Sequence, residues 1–233
     1  MKIFAISDLH LCLSGAKPMD IFGATWENYL DLIKHDWNSR VSKEDYVLMA
    51  GDMSWALKLE EATRDLEYLN SLNGTKIIIR GNHDYWWKSI SMLRKQLPQS
   101  IYPLQNDAIK IGNYIICGTR GWTVPEKNKQ QSQEDEKLYN REILRLELSL
   151  ECAKKLKTSE DDIIIGMIHF PPFNSNCEES EFTKLFEKYA VKKVVYGHLH
   201  GGASRTFLTT QKNGVEYFLT SCDKLNNKLV QIY

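Results

Sequence analysis

The chain alternates short apolar runs with longer amphipathic segments, and this alternation constrains the fold more than any other feature. Runs rich in β-branched residues predict strands at residues 2–7, 46–50 and 76–80. The segments between them carry apolar residues at helical spacing: Phe22, Trp26, Tyr29, Ile33 and Trp37, then Leu59, Ala62, Leu66 and Leu69. This strand-helix-strand-helix-strand order is typical of a parallel sheet covered by helices on both faces.

The remainder of the chain adds antiparallel signals. Residues 108–111 and 114–118 flank a Gly-Asn turn and predict a β-hairpin. A polar stretch at 123–137 predicts an exposed loop, and apolar spacing over residues 139–153 then predicts a long helix. The last predicted elements are a helix near residues 182–189 and strands at 162–168, 193–197, 215–220 and 228–233. We therefore expect one α/β domain over residues 1–233 with parallel and antiparallel strands.

Composition narrows the classes of function. The 30 basic and 30 acidic residues give a formal charge of zero, so nothing favours a long nucleic acid or an anionic membrane as partner. A small anionic substrate held by metals is compatible with this balance. Five scattered cysteines, never in a CxxC spacing, favour reduced thiols over a disulfide framework or a zinc ribbon. The apolar run at residues 3–6 ends before Asp8, too short for a signal sequence, so we expect a cytoplasmic protein.

Polar residues cluster just past the ends of the predicted strands. Eight residues stand there: Asp8, His10, Asp52, Asn82, His83, His169, His198 and His200. In open α/β sheets, ligands bind outside the carboxyl ends of the strands. The placement therefore predicts one shared site at that edge.

Each fragment also has an ordinary alternative. The pair Asp8 and His10 occurs by chance in many chains, and Asp52 could cap a helix or form a turn. Asn82 could be a turn residue, and His169 a loop histidine before two prolines. Their joint placement favours the shared site over these separate explanations.

The chemistry of these side chains is that of a metal centre. Carboxylates, an amide oxygen and imidazoles, with no thiolate, suit divalent or trivalent Mn, Fe, Ni or Zn. Seven such ligands are too many for one ion with an open position: Asp8, His10, Asp52, Asn82, His169, His198 and His200. They suit two ions about 3.5–4 Å apart that share one carboxylate.

The same residues resemble the five motif blocks of the calcineurin-like metallophosphoesterases. The blocks are Asp8-x-His10, Gly51-Asp52, Gly81-Asn82-His83-Asp84, His169 and Gly197-His198-x-His200, in the family's order. The resemblance implies an α/β fold in which two packed mixed β-sheets are flanked by helices, a four-layer sandwich. It also implies hydrolysis of a small phosphomonoester or phosphodiester.

The resemblance further implies how the ligands divide. One metal would be held by Asp8, His10, Asp52 and His200, and the other by Asp52, Asn82, His169 and His198. Asp52 would bridge the two ions, and a hydroxide between them would attack phosphorus.

The third block also contains a candidate proton donor, His83, and a residue expected to support it, Asp84. His83 would be the general acid rather than a ligand, and Asp84 would orient its ring and raise its basicity. Alternatively, Asp84 caps a helix that begins near Tyr85.

Two candidates for substrate contact remain open. Arg120 could hold a phosphate in bidentate fashion, or it could form an ion pair at the edge of the core. Trp86 could stack on an aromatic part of the substrate, or it could fill the space between helix and sheet. The same alternatives apply to the other aromatic residues near strand ends: Trp55, Tyr85, Trp87 and Trp122.

Departures from the family pattern limit the substrate. The second block lacks the Asp-Arg pair of protein serine/threonine phosphatases, and Asp84 stands where those enzymes carry Glu. This argues against a phosphoprotein phosphatase. Two other classes stay open, a non-catalytic binding module on the same fold and a nuclease, and the neutral charge argues against the nuclease.

Overall fold

The computed structural model describes residues 1–15, 17–127, 130–201 and 207–233. Within these residues the chain forms eleven strands: β1 Ile3–Ala5, β2 Tyr46–Met49, β3 Thr75–Ile78, β4 Ile101–Pro103, β5 Ala108–Ile111, β6 Tyr114–Thr119, β7 Ile163–Ile168, β8 Lys193–Tyr196, β9 Thr209–Lys212, β10 Val215–Leu219 and β11 Val230–Gln231. The described α-helices are α1 Tyr29–Arg40, α2 Thr63–Ser71, α3 Ile90–Gln96, α4 Gln133–Leu156 and α5 Glu181–Lys188.

The strands form two mixed sheets. The first sheet has the order β11-β1-β2-β3-β4, in which β1 to β4 are parallel and β11 is antiparallel. The second sheet has the order β5-β6-β7-β8-β10-β9, with a parallel centre and an antiparallel strand at each edge. The predicted hairpin is confirmed as β5 and β6.

Three apolar cores hold four layers together. Side chains on one face of the first sheet, such as Met49, pack against α1 and α2. Their neighbours on the opposite face, such as Leu48, pack against the second sheet, which explains why successive strand residues are apolar. The outer face of the second sheet packs against α4 and α5 through residues such as Phe186. The predicted α/β fold with two packed sheets flanked by helices is confirmed.

Several boundaries differ from the sequence-based expectation. The apolar spacing at Phe22 and Trp26 falls in two short 3-10 turns, because Gly23 and Asn28 adopt positive φ angles of 118° and 52° before α1 begins. Helix α4 begins within the polar stretch 123–137, because the Ser132 side chain accepts a hydrogen bond from the Asp135 N–H. Strands β4 and β9 and helix α3 have no counterpart in the predicted elements.

Among the described residues, no helix combines the length and the apolar character that crossing a membrane requires.

The carboxyl ends of the central strands of both sheets meet at one rim. Ser7, just beyond β1, forms a parallel bridge with Ser221, just beyond β10, and this bridge joins the two sheets there. The polar residues singled out in the sequence follow β1, β2, β3, β7 and β8, so they lie along this rim.

Candidate metal centre

Three fully buried residues that follow strands of the first sheet lie together at the rim. Asp8, His10 and Asp52 are fully buried, and each offers a possible ligand atom within 4.8 Å of the others. His10 Nε2 lies 3.8 Å from Asp52 Oδ2. Asp8 is held from the opposite sheet, since its carboxylate accepts hydrogen bonds from the His198 N–H at 3.0 Å and the Ser221 hydroxyl at 2.7 Å.

His169, Asn82 and His198 form an adjoining group. His169 Nδ1 lies 2.8 Å from the Ala50 carbonyl oxygen, which can only accept, so Nδ1 carries the proton. Burial lowers the pKa of His169 to about 3, so Nε2 of the neutral ring offers a lone pair. That atom lies 2.7 Å from Asn82 Oδ1, and His198 Nδ1 lies 2.9 Å from the same oxygen.

The two groups are continuous through Asp52. Asp52 Oδ2 lies 3.5 Å from His169 Nε2 and 3.8 Å from His10 Nε2, so it stands between both groups. Neither Asp52 Oδ2 nor the two ring nitrogens of His10 have a hydrogen-bond partner in the described part of the chain, although all three atoms are buried. Buried polar atoms are normally paired, so these atoms mark a place where a ligand completes the structure.

The charges of the site favour a cation. Burial, and next the charge of Asp52, raise the pKa of Asp8 well above its usual range. Burial also raises the pKa of Asp52 to about 6. Two buried carboxylates repel each other, and a bound cation removes that penalty by favouring their ionised forms. The donors present therefore fit divalent metals, which bind carboxylate and imidazole together.

The backbone is strained where these ligands sit. Asp8, His10, Asp52 and His198 have φ angles of 56°, 46°, 54° and 70°, in the left-handed region that L-residues rarely adopt. Such strain costs about 1–3 kcal/mol for each residue, and it concentrates at functional sites.

Close approach of the backbone requires glycine at two positions of the motif blocks. A Cβ atom on Gly81 would lie 2.1 Å from Asp52 Oδ1, and one on Gly197 would lie 2.5 Å from Asp8 Oδ2. Any larger residue there would displace a carboxylate of the rim.

His200 and His83 lie at the open side of the site. His200 is exposed, and its ring centroid is 4.9 Å from that of His10. His83 is partly exposed, and its backbone N–H donates to Asp52 Oδ1 at 2.8 Å. Its ring lies 4.5 Å from the Trp55 ring, and burial lowers its pKa. His83 thus borders the candidate metal ligands while its ring remains reachable from solvent.

The expected contact between Asp84 and the His83 ring is absent from the described structure. The buried Asp84 carboxylate accepts instead from the N–H groups of Gly81, Asp52, Met53 and Ser54, at 2.8–3.3 Å, and from Trp86 Nε1 at 2.9 Å. The helix-capping alternative is also wrong, since α3 begins later, at Ile90. Asp84 therefore ties together the loops that carry Asp52 and Asn82.

The structure favours the ordinary alternative for Trp86. Its side chain is 0% exposed, so it has no surface on which a substrate could stack. Trp87 is 6% exposed and packs in the same core. Of the remaining aromatic residues, the partly buried Trp55 stacks on His10 at a centroid distance of 4.6 Å and helps to fix that ring.

Arg120 forms an ion pair at the edge of the core, which was the second of the two alternatives for this residue. Its Nη2 lies 3.8 Å from Glu142 Oε1, and its guanidinium lies 4.8 Å from the centre of the Trp122 ring. Its backbone carbonyl accepts from the His169 N–H at 3.0 Å, so Arg120 is next to the site without reaching its centre.

Two participants escaped the sequence analysis. Ser221 donates to Asp8, and Asp223 accepts from the Gly201 N–H at 2.7 Å. Burial lowers the pKa of His200, and the charge of Asp223 opposes that effect. In the sequence, both residues are marked only by their position after the predicted strand at 215–220. Searching for polar residues directly after strand ends would have found Ser221, which immediately follows that strand. Residues 128 and 129 of the polar stretch 123–137, like residue 16, lie outside the described residues.

Comparison with known proteins identifies the class. The family model of the calcineurin-like phosphoesterases matches residues 1–202, so the chain belongs to this family. The resemblance inferred from the motif blocks is thereby confirmed. No curated protein matches the sequence.

Two solved structures share the fold. TT1561 of Thermus thermophilus matches with a TM-score of 0.61 at 12% identity, over 98% of this chain and 96% of its own. AQ665 from Aquifex aeolicus, described as a protein of unknown function, matches with a TM-score of 0.51 at 15% identity, over 99% of this chain and 95% of its own. At such identities the likeness concerns the fold alone.

Proposed function

We propose that the protein is a dimetal-dependent phosphoesterase that hydrolyses a small phosphomonoester or phosphodiester. The observation that carries this proposal is the convergence of buried, unpartnered ligand atoms on Asp52. One cation would be held by Asp8, His10, Asp52 and His200, and a second by Asp52, Asn82, His169 and His198. Two such ions, drawn from Mn, Fe, Ni or Zn, supply an activated water molecule and neutralise charge on the phosphoryl oxygens.

The chain's own residues divide the remaining work. His83, partly exposed beside the ligands, would donate a proton to the leaving oxygen. The neutral amide of Asn82 would limit the negative charge packed around the ions. Asp84 would hold the two ligand loops in register through its bonds to backbone N–H groups.

A cavity beside the site suits the organic part of an ester. Its volume is about 510 Å³, and its walls include His198 together with Phe170, Phe173 and Tyr196. Pockets for small molecules are mostly apolar with a few polar groups at one side. The cavity therefore supports a substrate with an apolar or aromatic leaving group.

The direct test is hydrolysis of p-nitrophenyl phosphate and of its bis ester with Mn²⁺. Wild-type protein is expected to cleave at least one of them. His83→Ala should lose about 10²–10⁴-fold in kcat while keeping its metal content, because the general acid is lost and the ligands remain. His35→Ala, an exposed histidine on α1, is the matched control.

Two outcomes would contradict parts of the proposal. Normal turnover by His83→Ala would remove its role as the acid. A folded wild-type protein that binds no metal would favour the non-catalytic binding module, and digestion of DNA in place of the small esters would favour the nuclease.

A further inference from the structure

Four arginines surround a second, smaller cavity next to the metal centre. Its volume is about 180 Å³, and it lies between the carboxyl ends of β3, β4 and β6 and one face of α4. Arg80 and Arg120 come from the strand ends, and Arg141 and Arg145 come from successive turns of α4. At about 30 Å³ per water molecule, the space admits a phosphate-sized anion.

One acidic residue among the cavity walls faces this group. Glu142 is fully buried, and its carboxylate lies 2.8 Å from Arg145, 3.4 Å from Arg141 and 3.8 Å from Arg120. It also accepts from the Thr119 hydroxyl at 2.9 Å. One carboxylate cannot neutralise four guanidinium groups, so the walls carry an excess of three positive charges.

The arginines are close enough to oppose one another. Glu142 lies 2.8–3.8 Å from three of the four guanidinium groups, so those three positive charges gather around one carboxylate. Arg80 forms no ion pair within the described residues, and the Nε atoms of Arg80 and Arg120 are buried without a hydrogen-bond partner there. Like charges gathered around a cavity are stabilised by an anion inside it.

We propose that this arginine pocket is a binding site for a tetrahedral oxyanion of the phosphate type, separate from the metal centre. The planar guanidinium fork pairs with phosphate oxygens through two parallel hydrogen bonds, and several forks can share one tetrahedral anion. The pocket stands beside the metal centre because Arg80 directly precedes Gly81 and Asn82. Anion binding in this pocket requires no catalysis, so it is a property separate from the proposed hydrolysis.

The test measures binding of sulfate, a tetrahedral dianion that is not hydrolysed, to the metal-loaded protein by titration calorimetry. Arg141→Gln and Arg145→Gln should each weaken binding at the pocket about tenfold or more, which is the loss of one charge-assisted hydrogen bond. Lys154→Gln removes an exposed cation from the same helix outside the pocket and should bind as the wild type does.

Sulfate bound at the metal centre is common to all these variants, so the difference between them reports the pocket alone. Arg145→Lys keeps the positive charge but loses the planar guanidinium group, so its affinity for sulfate should lie between those of the wild type and Arg145→Gln. It replaces Arg145→Gln in the test if that variant does not fold. Equal sulfate binding by wild type and both glutamine variants would overturn the proposal, as would the absence of binding to wild-type protein.

A second measurement, which rests on the proposed hydrolytic function, distinguishes two sources of the anion: a second phosphoryl group of the substrate and free phosphate. A hexose monophosphate and the matching hexose bisphosphate are compared as inhibitors of p-nitrophenyl phosphate hydrolysis. If the bisphosphate inhibits the wild type more strongly than the monophosphate does, and if this difference disappears in Arg145→Gln, the pocket binds a second phosphoryl group of the substrate. Equal inhibition by both compounds assigns it to free phosphate.

Discussion

Both ends of the first sheet bury charged side chains, but the two ends differ in whether these side chains have hydrogen-bond partners. At the amino end, the Asp45 carboxylate accepts from the N–H groups of Lys2 and Ser42 at 2.6 and 2.9 Å. Burial alone would raise the pKa of Asp45, but these hydrogen bonds lower it below its usual value. The Lys76 ammonium, fully buried on β3, donates to the carbonyls of Leu72 and Gly74 at 2.7 and 2.9 Å.

At the carboxyl end of the same strands, buried atoms are left without partners. Asp52 Oδ2 and the ring nitrogens of His10 have none in the described residues, and the pKa of Asp52 is raised to about 6 by burial. The charged groups described at the amino end are thus partnered by protein groups, whereas at the carboxyl end Asp84 is partnered but Asp52 Oδ2 and the His10 ring are not. The contrast teaches that the carboxyl end is built to receive a ligand, since a purely structural site would have been completed internally.

The difference between the two ends is tested by neutralising one aspartate at each end. Under the proposed dimetal function, Asp52→Asn should reduce phosphoesterase activity on the order of a thousandfold, because the charge of a ligand shared by two cations would be worth several kcal/mol in the transition state. The fold should persist, since the substitution removes one of two repelling carboxylates. Activity with p-nitrophenyl phosphate, metal content and thermal unfolding are measured together.

The matched change at the opposite end is Asp45→Asn. It should leave kcat/KM within about twofold and lower the free energy of unfolding by about 1–3 kcal/mol, because a hydrogen-bonded carboxylate is lost. If Asp45→Asn removed activity, or if Asp52→Asn destabilised the metal-free protein as much as Asp45→Asn does, the two ends would not differ as described.

A smaller loss of activity than for Asp52→Asn is expected from Asp84→Asn, which tests what supports the carboxyl end. The amide cannot accept from all the N–H groups that the carboxylate binds, so the free energy of unfolding should fall by about 3 kcal/mol. Metal affinity should fall about 10- to 100-fold, as for other residues that orient ligands. Urea unfolding measures the first change and metal titrations followed by activity measure the second, with the exposed Asp31→Asn as control.

Excess metal should restore most of the activity of Asp84→Asn, whereas it should not restore His83→Ala. Activity of Asp84→Asn that stayed low at every metal concentration would instead mean that Asp84 acts through His83.

The amino acid sequence predicted the frame of this site well, for a physical reason. Consecutive apolar residues mark strands buried on both faces, and parallel strands bring their carboxyl ends to one rim, so Asp8, Asp52, Asn82, His169 and His198 fall together without knowledge of any contact. Edge strand β9, with the sequence TTQK, carries no such pattern, because its pairing to β10 depends on backbone hydrogen bonds.

What the sequence could not predict were contacts that depend on the exact packing of loops. Trp86 and Trp87 are buried while their neighbour Tyr85 is 52% exposed, and residue type alone does not separate these cases. The partners of Asp84 are mainly backbone N–H groups, two of them more than 30 residues distant, and every residue except proline offers such a donor. The predicted contact between Asp84 and the His83 ring followed the usual carboxylate–histidine arrangement, whereas the structure pairs Asp84 with backbone N–H groups and Trp86.

The smallest expected effect concerns Lys76 and tests whether its partners complete the amino end. Burial lowers the pKa of Lys76 from 10.5 to about 8. Between these values the unfolded chain binds more protons than the folded one, so the free energy of unfolding rises as pH increases from 8 to 10.5. We expect a rise of about 1–2 kcal/mol, less than the full shift at about 1.4 kcal/mol per pKa unit gives, because two carbonyls hold the ammonium.

Urea unfolding at several pH values measures this rise, and Lys76→Met separates it from the titration of tyrosines and cysteines. The variant has no ammonium to bury, so its stability should lack the rise that wild type shows over the same range. Parallel pH profiles for the two proteins would mean that the Leu72 and Gly74 carbonyls compensate fully for the burial of the Lys76 ammonium. A rise as large as the full pKa shift gives would mean that they compensate for none of it, and the contrast with the rim around Asp52 would then rest on Asp45 alone.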